Sequence, residues 1–210
     1  MKEIGIIISQ LSGFTTPSRK IEQYETDGET INFFLTKALR DIRDSMILDL
    51  GSGTGFLSFA CALAGAKFVL GVEIDKNALI VSKYNLQKIL EIGYEIRVSF
   101  ICCDVENFYP KKKFDVCVMN PPFGIQKKFA DRIFLKKAFE TSDIIWTFLS
   151  KDSKPFVEAF ANENEFEISQ YFKTKIQLKK KFHFHKKKTE FIEVDLYRIQ
   201  RKTRLSFEYK

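Results

Sequence analysis

The chain has 210 residues, of which 45% are hydrophobic and 29% are charged, and this balance supports one domain with a buried core. It excludes a disordered chain, a collagen-like repeat and a disulfide scaffold. The net charge of +7 is unevenly distributed, because residues 171–210 contain 13 Lys and Arg against 4 Asp and Glu, whereas the first 170 residues have a net charge of −2. This asymmetry favours contact with a polyanion at one end of the molecule, with a solvated charged tail as the alternative.

The four cysteines, Cys61, Cys102, Cys103 and Cys117, include no C-x-x-C pair, and two of them are adjacent. Adjacent cysteines are poor partners for a disulfide or a zinc ion, so we expect buried thiols in a reducing cytoplasm and no metal site. The N-terminus lacks a signal-peptide pattern, and no stretch approaches the roughly 18 apolar residues of a membrane span. We therefore predict a cytoplasmic location and no membrane partner.

Strand-like and helix-like segments alternate along most of the chain. The hydrophobic periodicity predicts helices at Gly28–Arg40, Thr54–Ala64 and Asn77 to about Glu91. It predicts strands at Met46–Leu50, Lys67–Ile74, Arg97–Cys103, Asp115–Asn120 and Ile144–Leu149. Strands that recur every 20 to 30 residues with helices between them indicate an α/β fold with a mainly parallel sheet.

The last part of the chain has a different pattern. Glu167–Leu178 and Phe191–Ile199 alternate apolar and polar residues, as expected for an antiparallel hairpin. Residues 179–189, KKKFHFHKKKT, connect them and carry six lysines. We predict a single domain over 1–210, with an N-terminal segment and helix at 1–45 and a basic hairpin at 165–200 that ends the sheet.

The strongest local motif is the glycine-rich segment Asp49–Gly55, DLGSGTG, which follows one predicted strand and opens a helix. Glycines let the backbone turn tightly and approach a ligand, and the free N–H groups of the next helix face that ligand. Glu73, at the end of the following strand, can accept hydrogen bonds from both ribose hydroxyls of an adenosine. A glycine turn beside an acidic surface residue is the alternative.

The spacing G-x-G-x-G after an aspartate differs from the dinucleotide fingerprint and resembles motif I of S-adenosylmethionine-dependent methyltransferases. This resemblance implies a Rossmann-like class I methyltransferase fold and S-adenosylmethionine as cofactor. It implies that Asp104 accepts from the adenine amino group and that the Val105 backbone completes the adenine edge, with an ordinary turn acid as the alternative for Asp104. The other residues expected at the cofactor are Asp49, Gly51, Gly53, Thr54, Gly55 and, through its backbone, Phe56.

The fourth predicted strand ends in Asn120-Pro121-Pro122-Phe123, which resembles the [DN]-P-P-[YFW] motif of amino-group methyltransferases. An exocyclic adenine amine is a poor nucleophile because its lone pair is delocalised into the ring. The Asn120 side-chain oxygen and the Pro121 carbonyl can accept from that amine, and the two prolines hold both acceptors in place. Phe123 offers a face on which a base can stack. A rigid turn at the strand exit is the alternative.

Two further segments narrow the resemblance: residues 11–26, LSGFTTPSRKIEQYET, and residues 182–198, FHFHKKKTEFIEVDLYR. With NPPFG between them, they resemble the methyltransferase-like five family of small-subunit rRNA adenine-N6 methyltransferases and its archaeal relatives, from about residue 11 to residue 200. The resemblance implies RNA as substrate. It assigns Gln23 and Thr26 to a lid over the cofactor. It also assigns to RNA contact Phe184, His185, Lys186, Lys187 and Lys188.

The chain departs from this family in the lid, where prolines usually follow EQY. Here Glu25 precedes Thr26 and Asp27-Gly28 follows it, so we expect a more flexible lid. Eukaryotic members of the family pair with a small zinc-binding methyltransferase activator that adds a strand to the sheet. For this chain we expect such a contact at an edge strand formed by Val69–Val72.

Three other functions remain open from the sequence. A glutamine-N5 protein methyltransferase uses a similar NPP[YF] loop but generally has an N-terminal helical domain, whereas about 45 residues precede motif I here. A DNA adenine methylase usually carries a target-recognition domain, for which we find no room. A catalytically silent RNA-binding module would not need motif I and NPPF together.

Overall fold

The computed structural model describes residues 2–14, 26–122, 130–178 and 190–203. Within these ranges the α-helices are α1 (Lys2–Ser9), α2 (Gly28–Ile42), α3 (Phe56–Leu63), α4 (Lys76–Glu91), α5 (Ala130–Thr141) and α6 (Lys154–Glu163). The strands are β1 (Met46–Leu50), β2 (Phe68–Glu73), β3 (Val98–Cys102), β4 (Phe114–Met119), β5 (Ser142–Ser150), β6 (Phe166–Leu178) and β7 (Glu190–Arg201). Every predicted helix and strand is present, and α1, α5 and α6 are additional to the predicted elements.

The strands described here form one sheet in the order β3-β2-β1-β4-β5-β7-β6. The first five strands in this order are parallel, and β7 pairs antiparallel with both β5 and β6. The prediction of an α/β fold with a mainly parallel sheet that ends in an antiparallel hairpin is therefore confirmed. No helix in the described part of the chain is long and apolar enough to cross a membrane.

Helices cover both faces of the sheet, and each face has its own hydrophobic core. On one face α1, α2 and α3 contribute buried side chains such as Ile8, Phe34 and Phe59. On the other face α5 and α6 contribute Leu135 and Val157, among others. A parallel sheet that is buried on both faces explains why its strands appear in the sequence as continuous apolar runs.

Helix α2 shows how the sequence sets one of these elements. Its buried residues recur every three or four positions, including Ile31, Phe34, Leu35 and Ala38, so one stripe faces the sheet. Asp27 caps its N-terminus, because the Asp27 carboxylate accepts hydrogen bonds from the second and third backbone N–H groups after it.

Strand order also decides where the basic hairpin lies. Ser150, at the carboxyl end of β5, pairs with Val194 of β7, which pairs with Thr174 of β6. The end of β6 and the start of β7 therefore lie at the same edge of the sheet as the carboxyl ends of the parallel strands. The lysine-rich residues 179–189, which connect the two strands, lie outside the described residues.

Two expectations from the sequence are wrong. β2 is not an edge strand, since β1 and β3 flank it and Val69 and Val72 are fully buried, so Val69–Val72 cannot receive an added strand. Among the described strands β3 and β6 are the outermost. The thiols also differ from the expectation, because Cys61 and Cys117 are buried but Cys102, on the edge strand β3, is exposed. Cys103 is half-buried.

Candidate active site

The glycine-rich loop at the end of β1 has the backbone conformation that its sequence predicts. Gly51, Gly53 and Gly55 have φ values of 72°, 53° and 90°, in the left-handed region that side chains disfavour. A Cβ atom on Gly53 would lie 2.8 Å from Cζ of Phe14, and one on Gly51 would lie 2.8 Å from Cε1 of Phe134. The loop therefore leaves a concave surface that only glycine permits.

Glu73, at the end of β2, fastens this loop to the neighbouring strand. Its Oε2 atom accepts a hydrogen bond from the Gly53 N–H at 2.7 Å, and its Oε1 atom accepts one from the Asp75 N–H at 2.8 Å. Burial raises the pKa of the Glu73 carboxyl, and these backbone donors partly oppose that rise. The carboxylate is thus held in one orientation beside the loop, while its contact with a ribose stays a prediction.

Asp49 lies beneath the loop and is almost fully buried. Ser58 Oγ, on α3, donates a hydrogen bond to Asp49 Oδ2 at 2.5 Å. Burial is the main cause that raises the pKa of Asp49 to about 7, and the negative charge of Glu73 adds to it. Two carboxyl groups below one loop favour a ligand that brings positive charge or hydrogen-bond donors.

Asn120, directly after β4, carries the most informative polar atoms of the site. Its Nδ2 atom donates a hydrogen bond to Thr26 Oγ1 at 3.0 Å. Its Oδ1 atom is buried and has no hydrogen-bond partner among the described residues. A buried amide oxygen without a partner is costly, so it indicates an acceptor kept for a donor that arrives with a ligand. Pro121 is buried and Pro122 is half-buried, whereas Phe123 lies outside the described residues.

One pocket unites the glycine loop with Asn120. Its lining includes seven residues that the sequence singles out, namely Thr26, Asp49, Gly51, Gly53, Thr54, Phe56 and Asn120. Phe14, Ser52 and Leu57 also line it. The Ser52 hydroxyl is a second buried polar atom without a partner among the described residues.

Sequence reasoning missed a residue that ties the segment before Phe14 to the glycine loop. Asn85 of α4 donates from Nδ2 to the carbonyl oxygens of Ser12 at 2.8 Å and Thr54 at 3.1 Å, and its Oδ1 accepts from the Ser12 N–H at 2.9 Å. Asn85 thus joins the segment before the lid to the glycine loop. The available signal was a polar residue on the buried face of α4, which otherwise carries residues such as Ala78, Leu79 and Ile89.

Asp104 and Val105 follow β3 and do not line this pocket. Asp104 Oδ1 accepts a hydrogen bond from the Glu106 N–H at 2.9 Å, which caps a short 3₁₀ helix at Val105–Asn107. The turn-acid alternative is thus compatible with the structure, and the adenine contact stays a prediction. Gln23 and the residues assigned to RNA contact, Phe184, His185, Lys186, Lys187 and Lys188, lie outside the described residues.

The pocket fits the cofactor that motif I implies. The glycine loop gives a backbone surface for close contact, and the Ser52 hydroxyl in its lining is a buried polar atom without a partner among the described residues. Thr26, Gly51 and Gly53 would hold S-adenosylmethionine, with Glu73 beside them. No group of three or more His, Cys, Asp or Glu side chains that could hold a metal occurs in the described part of the chain.

Comparisons with known proteins agree with this geometry. Residues 29–143 match the family model described as methyltransferase small domain. The uncharacterised protein MJ0284 of Methanocaldococcus jannaschii is 31% identical over 99% of this chain and 95% of that protein. The rRNA N6-adenosine methyltransferase METTL5 of Danio rerio is 28% identical over 95% of this chain and 98% of that protein.

Among solved structures, that of PH1948 from Pyrococcus horikoshii, described as a candidate RNA methyltransferase, superimposes with a TM-score of 0.84. It is 38% identical and the match covers 95% of this chain and 97% of that one. These matches confirm the resemblance that the N-terminal, NPPF and C-terminal motifs predicted. The chain belongs to the methyltransferase small domain family, and it is an S-adenosylmethionine-dependent methyltransferase with a Rossmann-like class I fold.

Proposed function

We propose that the chain methylates N6 of an adenosine in RNA, and that this RNA is small-subunit ribosomal RNA. The observation that carries the proposal is the buried Asn120 Oδ1 atom, which has no partner among the described residues and lies in the wall of the cofactor pocket. An amine that brings two N–H donors is the substrate group that such an acceptor fits.

The residues of the site would activate this amine by accepting its hydrogen bonds. Asn120 Oδ1 and the Pro121 carbonyl accept the two N–H groups, which favours a tetrahedral nitrogen whose lone pair is available. Both acceptors are held before the substrate arrives, so little reorganisation is needed during the reaction. Phe123 stacks on the unpaired base. When bound, S-adenosylmethionine would supply an electrophilic methyl group and be left as the neutral thioether, while the methylated nitrogen would release one proton to solvent. The protein aligns the amine with that methyl group.

Two observations support RNA as the substrate. The protein METTL5, related over nearly the whole chain, is named for rRNA adenosine N6 methylation. The basic excess of residues 171–210 belongs to the β6–β7 hairpin and its flanks, and the hairpin's connecting end lies at the edge of the sheet that carries Asn120. Residues 184–188 would hold the phosphate backbone there.

Further parts of the proposal concern the partner and the setting. A small zinc-binding activator would add a strand to β3, which is an outermost strand of the sheet and lies next to β2. The proposed contact is therefore β3, and the buried Val69–Val72 segment of β2 takes no part in it. We also propose that residues 1–210 act as one domain, because a single sheet carries both the pocket and the hairpin. The buried free thiols of Cys61 and Cys117 support a reducing cytoplasmic location.

Replacing Asn120 with alanine tests the proposed chemistry. We expect transfer of labelled methyl groups to RNA to fall by a factor of about 100 or more, because one preorganised hydrogen-bonding group in an active site has an effect of this order. Binding of S-adenosylmethionine, measured by calorimetry, should change little. The matched control is Asn164→Ala, which removes an amide that caps α6 by donating to the Phe160 carbonyl. Full activity of Asn120→Ala would contradict the mechanism.

A further inference from the structure

The carboxylate of Asp27 connects two parts of the molecule that are distant in sequence. Its Oδ1 atom accepts the N–H groups of Glu29 and Thr30, both at 3.0 Å, and its Oδ2 atom accepts the Thr30 hydroxyl at 2.6 Å. Oδ2 also accepts the backbone N–H of Gln177, on β6, at 2.9 Å. Asp27 is 8% exposed, so these bonds are shielded from water. One side chain therefore caps α2 and fastens it to the basic hairpin.

The residue before Asp27 touches the proposed reaction site. Thr26 is 5% exposed, and its hydroxyl oxygen accepts the hydrogen bond from Asn120 Nδ2. Because Thr26 and Asp27 share a peptide bond, the bonds of the Asp27 carboxylate limit where the Thr26 hydroxyl can be.

The orientation of the Asn120 amide decides which atom meets the substrate. An amide presents an acceptor oxygen on one side and a donor NH₂ on the other, so a rotation of the group would replace the acceptor with a donor. The Thr26 hydroxyl engages the NH₂ side and leaves Oδ1 in the pocket wall without a partner among the described residues. Loss of this contact would therefore weaken amine activation.

We infer that Asp27 is a positioning residue for the reaction. It holds Thr26 so that Thr26 fixes the Asn120 amide with its oxygen toward the substrate amine, and it secures this arrangement against β6. This inference rests on the proposed function, since it concerns how Asn120 accepts from an amine.

A single-atom change tests this role. Asp27→Asn keeps an Oδ1 acceptor for the α2 cap, because asparagine caps helices as well as aspartate does, but it places a donor opposite the Gln177 N–H. The assay uses the RNA that the wild-type chain methylates. We expect kcat to fall about 5- to 10-fold in Asp27→Asn, which is the change in rate that the loss of one net hydrogen bond would cause. Because Thr26 also lines the cofactor pocket, kcat should be measured at saturating S-adenosylmethionine, with the dissociation constant of the cofactor determined separately. Thr26→Val should lower kcat at least as much, and Thr26→Ser, which keeps the hydroxyl, should restore it.

A double-mutant cycle separates positioning from general destabilisation. If Asp27 acts through Thr26, Asp27→Asn in the Thr26→Val background should lower kcat by less than about twofold. The matched control is Asp41→Asn. Asp41 also joins α2 to the hairpin, through Arg198 at 2.8 Å, and it accepts from Trp146 at 2.8 Å, but neither contact involves Thr26. The Asp41→Asn variant should have a lower melting temperature and an unchanged kcat.

The Asn120 side-chain amide gives a readout that does not depend on activity. Its ¹⁵N–¹H₂ signals, assigned by their loss in Asn120→Asp, should shift in Asp27→Asn and Thr26→Val and stay in place in Asp41→Asn. The inference would be overturned if these signals stayed unchanged and if the fold-losses of kcat in Asp27→Asn and Thr26→Val multiplied in the double variant. That outcome is distinct from failure of the proposed function, in which Asn120→Ala itself would remain active.

Discussion

Gly53→Ala should separate the folding role of the glycine loop from its binding role. Gly53 has a φ of 53°, a conformation that costs a residue with a Cβ atom about 1–2 kcal/mol. The new Cβ atom would also lie 2.8 Å from Phe14 Cζ, so the ring that walls the pocket has to move. Overpacking of this kind costs about 1–3 kcal/mol. If the overpacking cost of about 1–3 kcal/mol falls on the ligand-bound state, the dissociation constant for S-adenosylmethionine rises about 5- to 150-fold.

The control for this prediction is Gly93→Ala. Gly93 has a φ of 93°, and a Cβ atom there meets no described atom within 4 Å. For a chain of this length 1 kcal/mol shifts the melting temperature by about 2–4 °C, so each variant should lose at least about 2 °C in a thermal scan. Only Gly53→Ala should also lose affinity in calorimetric titration. Equal affinity of the two variants for S-adenosylmethionine would refute the assignment of the glycine loop to the cofactor.

Two further predictions concern charge. The pKa of Asp49 is raised from its ordinary value of 3.8 to about 7, so the folded chain holds a proton that the unfolded chain releases, and the free energy of unfolding should fall as pH rises from about 4 to 7. Urea denaturation at several pH values should show a flatter profile for Asp49→Asn, and an identical slope would contradict the raised pKa. Replacing Lys186, Lys187 and Lys188 with glutamine should weaken RNA binding and flatten its dependence on salt concentration, because fewer phosphates are neutralised. A filter-binding series with an unchanged salt slope would remove these lysines from the RNA contact.

Local patterns explain what could be predicted. The strands of the sheet appear as short apolar runs, and the loop after β1 is marked by glycines that the observed positive φ values require. Asn120 follows β4 because the two prolines after it end the strand. Each of these features depends on residues that are close together in the chain, so it can be predicted from one sequence.

Sheet order and long-range contacts are not local, and this is where prediction failed. The apolar pattern of Val69–Val72 predicts a strand but does not show whether that strand lies inside the sheet or at its edge. The pairing of β2 with both β1 and β3 shows that it lies inside. The bond between Asn120 and Thr26 joins residues 94 positions apart, and that between Asp27 and Gln177 joins residues 150 positions apart. No spacing rule connects such pairs, so the sequence assigned Thr26 to the cofactor without indicating its contact with Asn120.

Identification of the methylated product decides whether the chain methylates adenosine N6 in RNA. The full chain would be incubated with S-adenosylmethionine labelled in its methyl group and with separate pools of RNA, DNA and protein, including small-subunit rRNA that lacks N6-methyladenosine. The labelled pool would then be digested and its modified component identified by mass spectrometry. We expect label in the rRNA, recovered as N6-methyladenosine and absent with Asn120→Ala. Label recovered as methylglutamine from protein, or as N6-methyldeoxyadenosine from DNA, would contradict it.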